Sequence, residues 1–312
     1  MIVTVTINPA IDKTIEINNF QVNHVNRVEN SRKEPGGKGI NVSKTIKALG
    51  KESKIFSVIA GSTGDYIRRK LSQMGLNAEY IMVNGETRTN IKITDYSQNL
   101  FTDINESGPT LNDEVSNQII EKVLSMIGAG DVLVLSGSLP NGIREDLYPQ
   151  LIRKANERDV QTILDASGDI LEQGLEAMPT MIKPNIHELE SIAGYKLDND
   201  SKIVDFARGL IHKQSVKKGV LISNGEKGSL WVTIDKVVKA EPIKTNVVST
   251  VGAGDAMVGA LAIGLSEKMD DELLLKYATA TAVHRISTED LETACIENVN
   301  RIMRDVVLNI LE

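Results

Sequence analysis

A glycine-rich turn that ends in an aspartate is the segment of this sequence best suited to catalysis. Its residues include Thr250, Gly252, Ala253, Gly254 and Asp255, and an apolar, helix-like stretch follows them. Glycines let the backbone approach a ligand closely, and the free N–H groups that begin a helix point at anionic oxygen. The carboxylate of Asp255 could accept the proton of an attacking hydroxyl while the amides stabilise charge on a transferred phosphoryl group. The alternative is that Thr250 or Asp255 caps the helix.

A second glycine cluster, residues 35–42, also opens a predicted helix. It contains Gly36, Gly37, Lys38 and Asn41. Glycine follows the lysine and the glycine spacing is wrong for a Walker A loop, so the cluster is a different kind of loop. Its backbone, with Lys38 and Asn41, could contact sugar hydroxyls. A tight turn with a solvated lysine is the alternative.

Oxygen-bearing side chains recur in a segment that begins at Lys183, after a short apolar run. Asn185 and Glu188 are three residues apart, so they share one face at the start of a helix. Such oxygens suit Mg²⁺, which keeps several waters and is held partly by nucleotide phosphates. The alternative is a capping box, with Asn185 as the N-cap and Glu188 as its partner.

Polar loops follow two more predicted strands. Ser138 lies in a Ser-Gly-Ser-Leu-Pro run, and Ser223, Gly225 and Gly228 lie in a second loop. Ligands of doubly wound sheets gather at the carboxyl ends of the strands, so both loops are expected beside a ligand. For the second loop a plain β-hairpin turn is an equal alternative, since its Asn-Gly pair is a strong turn signal.

Three isolated charged residues are candidates for substrate binding. Asp12 follows the first predicted strand, and Arg27 and Arg88 lie in polar segments. A carboxylate binds sugar hydroxyls, and an arginine holds a phosphate through two hydrogen bonds. Each of these residues, taken alone, is more often a surface charge. The four histidines show no spacing typical of a metal site.

The elements that must position these residues alternate along the chain. Predicted strands are Ile2–Ile7, Lys54–Ile59, Val132–Leu135, Thr162–Leu164, Met181–Ile182 and Gly219–Ser223. Predicted helices are Gly39–Leu49, Tyr66–Met74, Val115–Ile127, Arg144–Arg158 and Gly252–Leu265. Strands that alternate with helices predict an α/β fold with a doubly wound, mostly parallel sheet.

Two polar stretches break this alternation. Lys13–Asn23 and Glu86–Thr102 are rich in Thr, Ile and Asn with a period of two, which predicts antiparallel strands outside the main sheet. With their flanks, approximately residues 13–34 and 86–105, they are expected to form a small β lid over a cleft. No long linker divides the chain, so residues 1–312 are expected to form a single domain.

Composition narrows the class of protein. The net charge of −7 argues against a nucleic-acid surface, and no run of about 18 apolar residues predicts a membrane span. A single cysteine, Cys295, permits no intrachain disulfide and suits a reducing compartment. The first residues do not look like a signal peptide. A cytoplasmic protein that binds neither nucleic acid nor membrane is therefore expected.

In this order, the motifs resemble those of the ribokinase/PfkB carbohydrate kinase family. The segment Thr6–Asp12 is similar to the family's opening strand with its sugar-binding aspartate, and residues 36–42 are similar to its first signature. Residues 252–255 are similar to the second signature, and Asn185 to Glu188 are similar to a magnesium motif. The resemblance runs from residue 2 to about residue 290.

Within the family, the chain is most similar to the hexose-phosphate branch of 1-phosphofructokinases and tagatose-6-phosphate kinases. The residues that indicate this are Asn8-Pro9, Gly85–Arg88 and Ser136–Pro140, besides the Gly-Gly-Lys-Gly run. The resemblance implies a ribokinase-like fold and ATP-dependent phosphorylation of fructose 1-phosphate to fructose 1,6-bisphosphate. Tagatose 6-phosphate or another phosphosugar is the alternative substrate, and a non-catalytic binding protein is a third possibility.

The resemblance also implies roles for individual residues. Those implied for the phosphosugar are Asp12, Gly36, Gly37, Lys38, Asn41, Arg27, Arg88 and Ser138. Those implied for ATP are Lys183, Asn185, Ser223, Gly225, Gly228, Thr250, Gly252 and Gly254. Asp255 would be the catalytic base, supported by residues 252–254, and Glu188 would hold Mg²⁺ through water. Lids of relatives often pair between subunits, so a homodimer is expected.

Two residues depart from the family pattern. Ala256 follows Asp255 where relatives usually carry serine, and Asn224 stands where the branch often has leucine. Neither change removes a group that the expected chemistry requires. The stretch Thr279–Thr288, expected to border the adenine, is unlike the family in its Val-His-Arg end, so the sequence assigns no adenine contact there.

Overall fold

The structure is a computed structural model that describes residues 1–98, 100–288 and 296–311. Cys295 lies outside the described residues. The strands are β1 (Ile2–Thr6), β2 (Ala10–Glu16), β3 (Asn30–Gly36), β4 (Lys54–Ala60), β5 (Asn77–Val83), β6 (Arg88–Asp95), β7 (Leu100–Asn105), β8 (Val132–Ser136), β9 (Gln161–Asp165), β10 (Met181–Ile182), β11 (Gly219–Ser223), β12 (Ser229–Thr233), β13 (Val237–Ala240) and β14 (Leu308–Ile310). The helices are α1 (Lys38–Ala48), α2 (Gly61–Gln73), α3 (Asp113–Ser125), α4 (Leu147–Asn156), α5 (Asp169–Leu175), α6 (Ile186–Ala193), α7 (Asp200–His212), α8 (Ala253–Ser266), α9 (Asp271–Ile286) and α10 (Ile296–Asp305).

The main sheet has the strand order β14-β13-β12-β11-β10-β9-β8-β1-β4-β5. From β11 to β5 every neighbouring pair described is parallel, whereas β12, β13 and β14 are antiparallel additions at one edge. The central strands β1 and β8 are buried along their whole length, as strands covered on both faces must be. The predicted doubly wound, mostly parallel α/β fold is confirmed.

Helices cover both faces of this sheet. One face packs against apolar residues of α3, α4, α6 and α7, in a core that includes Ile119, Leu151 and Leu189. The other face packs against α1, α8, α9 and α10, in a core that includes Ile46 and Leu261. Helix α8 is apolar almost all round because it lies between the sheet and its neighbours α1 and α9. Its N-terminus is consequently fixed near the carboxyl ends of the parallel strands.

A second, four-stranded sheet has the order β3-β2-β6-β7. Pairs β2–β3 and β6–β7 are antiparallel, as predicted, but the central pair β2–β6 is parallel. The prediction of antiparallel strands is therefore wrong for this pair. The physical reason is connectivity. After β2 and β3 the chain passes through α1, β4, α2 and β5, where β4 and β5 belong to the main sheet. It then returns to the second sheet as β6, which runs in the same direction as β2.

The second sheet takes residues 13–16 of the first interrupting stretch and most of the second, Glu86–Thr102. Its outer strands β3 and β7 are largely exposed, whereas the inner strands are partly buried. The expectation of one kinase domain over residues 1–312, with a lid at about 13–34 and 86–105, stays a prediction. Among the described residues, no helix has the length and apolar character that crossing a membrane requires.

Candidate active site

The turn before α8 presents an open helix start. Gly252 is the N-cap, in the left-handed region at φ +83°, where glycine is favoured and no side chain can cap the helix. Asp255 lies in the first turn, but its carboxylate accepts a 2.8 Å hydrogen bond from Nδ2 of Asn41 on α1. The helix-cap alternative for Thr250 and Asp255 is therefore wrong. The amides of Gly254 and Asp255 precede the first i to i−4 bond, which Ala256 donates to Gly252.

The surroundings of Asp255 suit a general base. Its residue is only 8% exposed. Burial raises the pKa of Asp255 and the nearby charge of Asp165 raises it further, while the Asn41 bond and two lysines oppose them, leaving a pKa of about 6. A carboxylate with this pKa is ionised at neutral pH and still takes up a proton readily.

Asp165 links the two lysines of the site. The carboxylate ends β9 and is 1% exposed. Lys38 Nζ lies 3.3 Å from one of its oxygens and Lys183 Nζ lies 3.4 Å from the other. Burial would raise the pKa of Asp165, but the charges of Lys183 and Lys38 outweigh burial and hold the pKa below its ordinary value. Asp165 is thus an anion that positions two cations beside Asp255.

Lys38 stands where several acidic groups meet. Burial alone would lower its pKa, but the charges of Asp165, Asp255 and Glu188 raise it above the ordinary value. Its side chain keeps 38% exposure, so the ammonium is charged and still accessible. The tight-turn alternative is right about the backbone, since Gly37 has φ +113°. It is wrong about the lysine, which is held by an ion pair.

Glycines 36 and 37 lie at close approaches between the backbone and neighbouring side chains. A Cβ on Gly36 would lie 2.3 Å from an oxygen of Asp12, and one on Gly37 would lie 2.7 Å from the methyl of Thr6. The strand pairing explains the first contact, because Ala10 of β2 faces Gly36 of β3. Asp12 also accepts a 3.2 Å bond from Asn90 on β6. The first glycine cluster therefore packs directly against Asp12, the predicted sugar-binding aspartate.

Arg88 begins β6, opposite Ala10 in the parallel register. One terminal nitrogen donates to the carbonyl of Asn8 at 3.0 Å, and the other donates to the carbonyl of Glu106 at 3.2 Å. Burial lowers the pKa of Arg88 from its very high ordinary value and the charge of Asp12 opposes this, so the group stays a cation. The guanidinium is fixed by backbone groups and faces a cavity that Lys38 also lines.

This cavity, of about 190 Å³, lies at the carboxyl ends of β1, β8 and β9. Its lining residues are Thr6, Asn8, Lys38, Arg88, Ser136, Gly137, Ser138, Ala166 and Ser167. Among the described residues that line it, buried polar atoms of Thr6, Asn8, Arg88 and Ser136 have no hydrogen-bond partner. Buried polar groups are normally paired, so unpaired atoms gathered around one cavity favour a polar ligand there.

The predicted metal segment forms a capping box at the start of α6. Asn185 Oδ1 accepts from the Glu188 amide at 2.9 Å, and Glu188 Oε2 accepts from the Asn185 amide at 2.8 Å. The capping alternative is confirmed. It leaves Glu188 Oε1 without a role in the cap, close enough to Lys38 to affect its pKa. Across the described residues, no group of three acidic, histidine or cysteine side chains could hold a metal by itself.

The nucleotide-binding candidates fall at neighbouring strand ends. Asn185 and Ser223 form a parallel bridge, and Lys183 packs so closely on Gly254 that a Cβ there would lie 3.4 Å from Nζ. Residues 224–228 form a hairpin turn between the antiparallel strands β11 and β12, as the alternative predicted. A Cβ on Gly228 would lie 2.1 Å from the carbonyl of Ala240, so this glycine is needed for packing.

The arrangement as a whole combines a buried carboxylate, an open helix start and several cations around one cleft. The sequence profile of the pfkB family of carbohydrate kinases matches residues 5–298. The chain belongs to the pfkB family of carbohydrate kinases.

Relatives of this pfkB kinase are similar over at least nine tenths of their length. A 1-phosphofructokinase of Haemophilus influenzae is 34% identical over all of this chain and 99% of the relative. A tagatose-6-phosphate kinase of Staphylococcus epidermidis is 35% identical over 90% of each chain. The solved phosphofructokinase-2 of Escherichia coli in complex with substrates and products is 26% identical, with a TM-score of 0.92 over 98% of this chain and 99% of that one.

Sequence reasoning missed part of the site of this pfkB kinase. Asp165 was not predicted, and Thr6 and Ser136 were noted only as parts of longer segments, although Asp165 and Ser136 are paired in register at the ends of β9 and β8. A polar residue that ends a buried strand is the signal that could have found them. Arg27 is not brought to the cavity, since it is exposed in the loop between β2 and β3 and is not among the described lining residues.

Proposed function

We propose that this pfkB kinase transfers the γ-phosphate of ATP to fructose 1-phosphate and produces fructose 1,6-bisphosphate. The observation that carries the proposal is Asp255, a carboxylate with a pKa of about 6 at the open start of α8. Close to Asp255 lies a cavity that two cations, Lys38 and Arg88, line. A base close to a cavity with two cations matches an acceptor that carries both a hydroxyl and a phosphate.

The proposed reaction is an in-line displacement. The free hydroxymethyl oxygen of the sugar attacks the γ-phosphorus, the bond from that phosphorus to the bridging oxygen breaks, and ADP leaves with the electron pair. Asp255 takes the proton of the attacking hydroxyl. Asn41 holds the Asp255 carboxylate in place, and the amides of residues 252–255 stabilise charge on the transferred group.

Lys38 and Arg88 hold the existing phosphate of the sugar in this proposal, and Arg27 is a further candidate from the exposed loop. Gly36, Gly37, Asp12, Asn41 and Ser138 contact the sugar hydroxyls. Lys38 is positioned by Asp165, as is Lys183 on the nucleotide side. One anion thus couples the placement of the acceptor to that of the donor.

ATP is expected along the strand ends. Its proposed contacts are Lys183, Asn185, Ser223, Gly225, Gly228, Thr250, Gly252 and Gly254. Mg²⁺ would be held by Glu188 through water, since the described residues offer no complete set of protein ligands, and it would neutralise triphosphate charge. Because ATP is an intracellular donor, we infer a cytoplasmic location.

A second candidate acceptor is tagatose 6-phosphate. The tagatose-6-phosphate kinase relative is as similar in identity as the 1-phosphofructokinase relative, which supports keeping it. Both sugars present a phosphate and a free primary hydroxyl to the same cations. Charge alone therefore cannot separate them.

The test is a kinase assay with ATP and Mg²⁺ over a panel of acceptors. Fructose 1-phosphate, tagatose 6-phosphate, fructose 6-phosphate and unphosphorylated fructose are compared by kcat/KM. We expect fructose 1-phosphate to have the highest value and fructose the lowest. A higher value for tagatose 6-phosphate would replace the proposed acceptor, and a preference for fructose would overturn the phosphosugar assignment.

The proposed assembly is a homodimer through the second sheet. Its outer strand β7 exposes Leu100, Phe101 and Ile104, which are each at least 50% exposed. Leu100 and Ile104 share one face of this outer strand and Phe101 lies on the other, and exposed apolar side chains of this size favour a protein contact. A solved neighbour is described as the tetrameric inhibited form of the phosphofructokinase-2 of Escherichia coli.

A further inference from the structure

Residues 84–87 carry the chain from β5 of the main sheet back to β6 of the second sheet, and the last two bind the start of α2. The Glu86 carboxylate accepts hydrogen bonds from the Ser62 amide at 3.1 Å, the Thr63 amide at 3.0 Å and the Thr63 hydroxyl at 2.8 Å. These bonds, those from Thr63 first, hold the pKa of Glu86 below its ordinary value, so the carboxylate is ionised at neutral pH. Glu86 thus ties this connection to a helix that packs on the main sheet.

Thr87 adds a second attachment beside the first. Its buried hydroxyl accepts a 2.8 Å hydrogen bond from the Ala60 amide, and its own amide donates to the Ala60 carbonyl at 3.0 Å. Two glycines of α2 that share one face of the helix leave the room for these contacts. A Cβ on Gly61 would lie 2.2 Å from a Glu86 oxygen, and one on Gly64 would lie 3.1 Å from the Thr87 hydroxyl. The start of α2 is therefore shaped to receive two successive side chains.

Arg88 follows these attachments directly. Its backbone begins β6, and its guanidinium lines the same cavity as Lys38. The next amide, that of Thr89, donates to the Glu106 carboxylate at 2.7 Å and fixes β6 on the other side of Arg88. A long side chain presents its charged end at one place only when its backbone and its tip are both held. The attachments at residues 86 and 87 hold the backbone at the point where Arg88 leaves it.

We propose that Glu86 is a positioning residue for the phosphate of the acceptor, an inference that rests on the proposed function. By binding the start of α2, Glu86 sets where β6 begins and hence where Arg88 presents its guanidinium. Glu86 is not among the described residues that line the cavity, so it acts on the acceptor through Arg88. Loss of the attachment should weaken binding of the phosphorylated acceptor and leave ATP, whose proposed contacts lie on other segments, unaffected.

The experiment measures steady-state kinetics of the full chain with fructose 1-phosphate and ATP–Mg²⁺. Glu86→Gln keeps the size of the side chain and removes its charge and one acceptor. We expect it to raise KM for the sugar phosphate roughly 3- to 30-fold, since displacing a substrate-binding group slightly has effects of this order. KM for ATP should stay within twofold. The matched control is Glu114→Gln, an exposed carboxylate in the first turn of α3, where Asn112 is the cap. It should leave both KM values unchanged.

A double-mutant cycle separates positioning from a general structural effect. Arg88→Met removes the group through which Glu86 acts, so adding Glu86→Gln to Arg88→Met should change KM for the sugar phosphate by less than twofold. A structural effect would instead multiply the two losses.

The hydroxyl of Thr87 gives an independent pair of variants, which carries the same test if Glu86→Gln does not fold. Thr87→Ser keeps the acceptor for the Ala60 amide and should resemble wild type. Thr87→Val removes that acceptor at nearly the same size and should raise KM for the sugar phosphate as Glu86→Gln does. Melting temperatures establish that each variant is folded at the assay temperature.

The possible failures of the inference and of the proposed function are distinct. KM for the sugar phosphate within twofold of wild type in folded Glu86→Gln, while Arg88→Met keeps its effect, would overturn the inference alone. A full effect of Glu86→Gln in the Arg88→Met background would assign Glu86 to the stability of α2. An unchanged KM in Arg88→Met would overturn the phosphate role of Arg88 and the inference with it, whereas preference for another phosphosugar would overturn only the proposed acceptor.

Discussion

Asp255 is the residue on which the proposed chemistry depends most directly. Asp255→Asn should lower kcat by about 10²- to 10⁴-fold, the usual cost of removing a general base. The amide keeps an oxygen that can accept the bond from Asn41, so the fold and ATP binding should be preserved. The measurement is kcat at saturating substrates together with calorimetric ADP affinity. A kcat within about threefold of wild type would refute the role of base.

The raised pKa of Asp255 predicts a pH dependence. Because the base works only when ionised, kcat/KM should rise with pH up to and through the folded-state pKa of about 6 and level off above it. The rising limb should be absent from the residual activity of Asp255→Asn. A wild-type profile that is already flat at pH 5 would contradict the assignment.

The same shift carries a stability consequence with a definite sign. The pKa of Asp255 rises from 3.8 to about 6 on folding, so the protonated form favours the folded state. This stabilisation is complete below pH 4 and is lost as pH rises through 6, up to about 3 kcal/mol for a shift near two units. Asp255→Asn should therefore be more stable than wild type at pH 7.5, with a smaller difference near pH 4.5, as measured by urea unfolding.

Arg88 separates a kinase for phosphosugars from one for neutral sugars. Arg88→Met should lower kcat/KM for the sugar phosphate roughly 10- to 150-fold, the equivalent of about 1.5–3 kcal/mol for a charge-assisted bond, and mainly through KM. Turnover of unphosphorylated fructose should barely change. Because Arg88 also donates hydrogen bonds to the carbonyls of Asn8 and Glu106, the melting temperature of the variant is measured as well. An equal loss on both acceptors would assign Arg88 to holding loops together.

At the scale of elements, the start of α6 combines a structural and a proposed chemical role. The Glu188→Gln side chain can still accept the hydrogen bond from the Asn185 amide, so this variant keeps the capping box while removing the charge. The rate as a function of free Mg²⁺, at saturating ATP, should shift to higher Mg²⁺ concentration in this variant. The melting temperature of the variant serves as the control that the cap is intact. An unchanged Mg²⁺ curve in Glu188→Gln would leave Glu188 with the capping role alone.

Elements with a strong period were predictable from the sequence. The central strands and the helices α1, α3 and α8 were predicted to within a few residues, because burial on both faces gives continuous apolar runs and one-sided burial gives a helical period. Strand β3 was missed. Its first five residues are exposed, so no apolar pattern marks it. It is held by pairing with β2 and by hydrogen bonds that Tyr66 and Lys44 donate to its carbonyls.

The site was predictable where one segment carries the chemistry and unpredictable where distant segments meet. The two glycine clusters could be recognised locally. The ion pairs of Asp165 with Lys38 and Lys183 join three separate segments of the chain, and no local sequence pattern indicates them. Likewise, Gly85–Arg88 was noted as a family resemblance, but only the structure shows Glu86 binding the amides of Ser62 and Thr63 at the start of α2.

At the scale of the whole molecule, the exposed apolar side chains of β7 predict self-association. Phe101→Asp should convert the proposed dimer to a monomer, because a charge on a contact strand must lose its hydration when that strand is buried. Molar mass by light scattering after gel filtration is the measurement. Ile234→Asp, at an exposed turn of the main sheet, is the matched control and should leave the mass unchanged. A wild-type protein that is monomeric at high concentration would refute the proposal.

The parallel pairing of β2 with β6 also governs the order in which the chain can fold. The elements β3, α1, β4, α2 and β5 separate these strands along the chain, so their pairing is a long-range contact. Long-range parallel pairing is slow because the entropy cost of closing the loop arises before any stabilising contact forms. We expect the main sheet to form first and the contact between Asp12 and Asn90 to form late. An early folding intermediate would then hold most of the core and no competent sugar cavity.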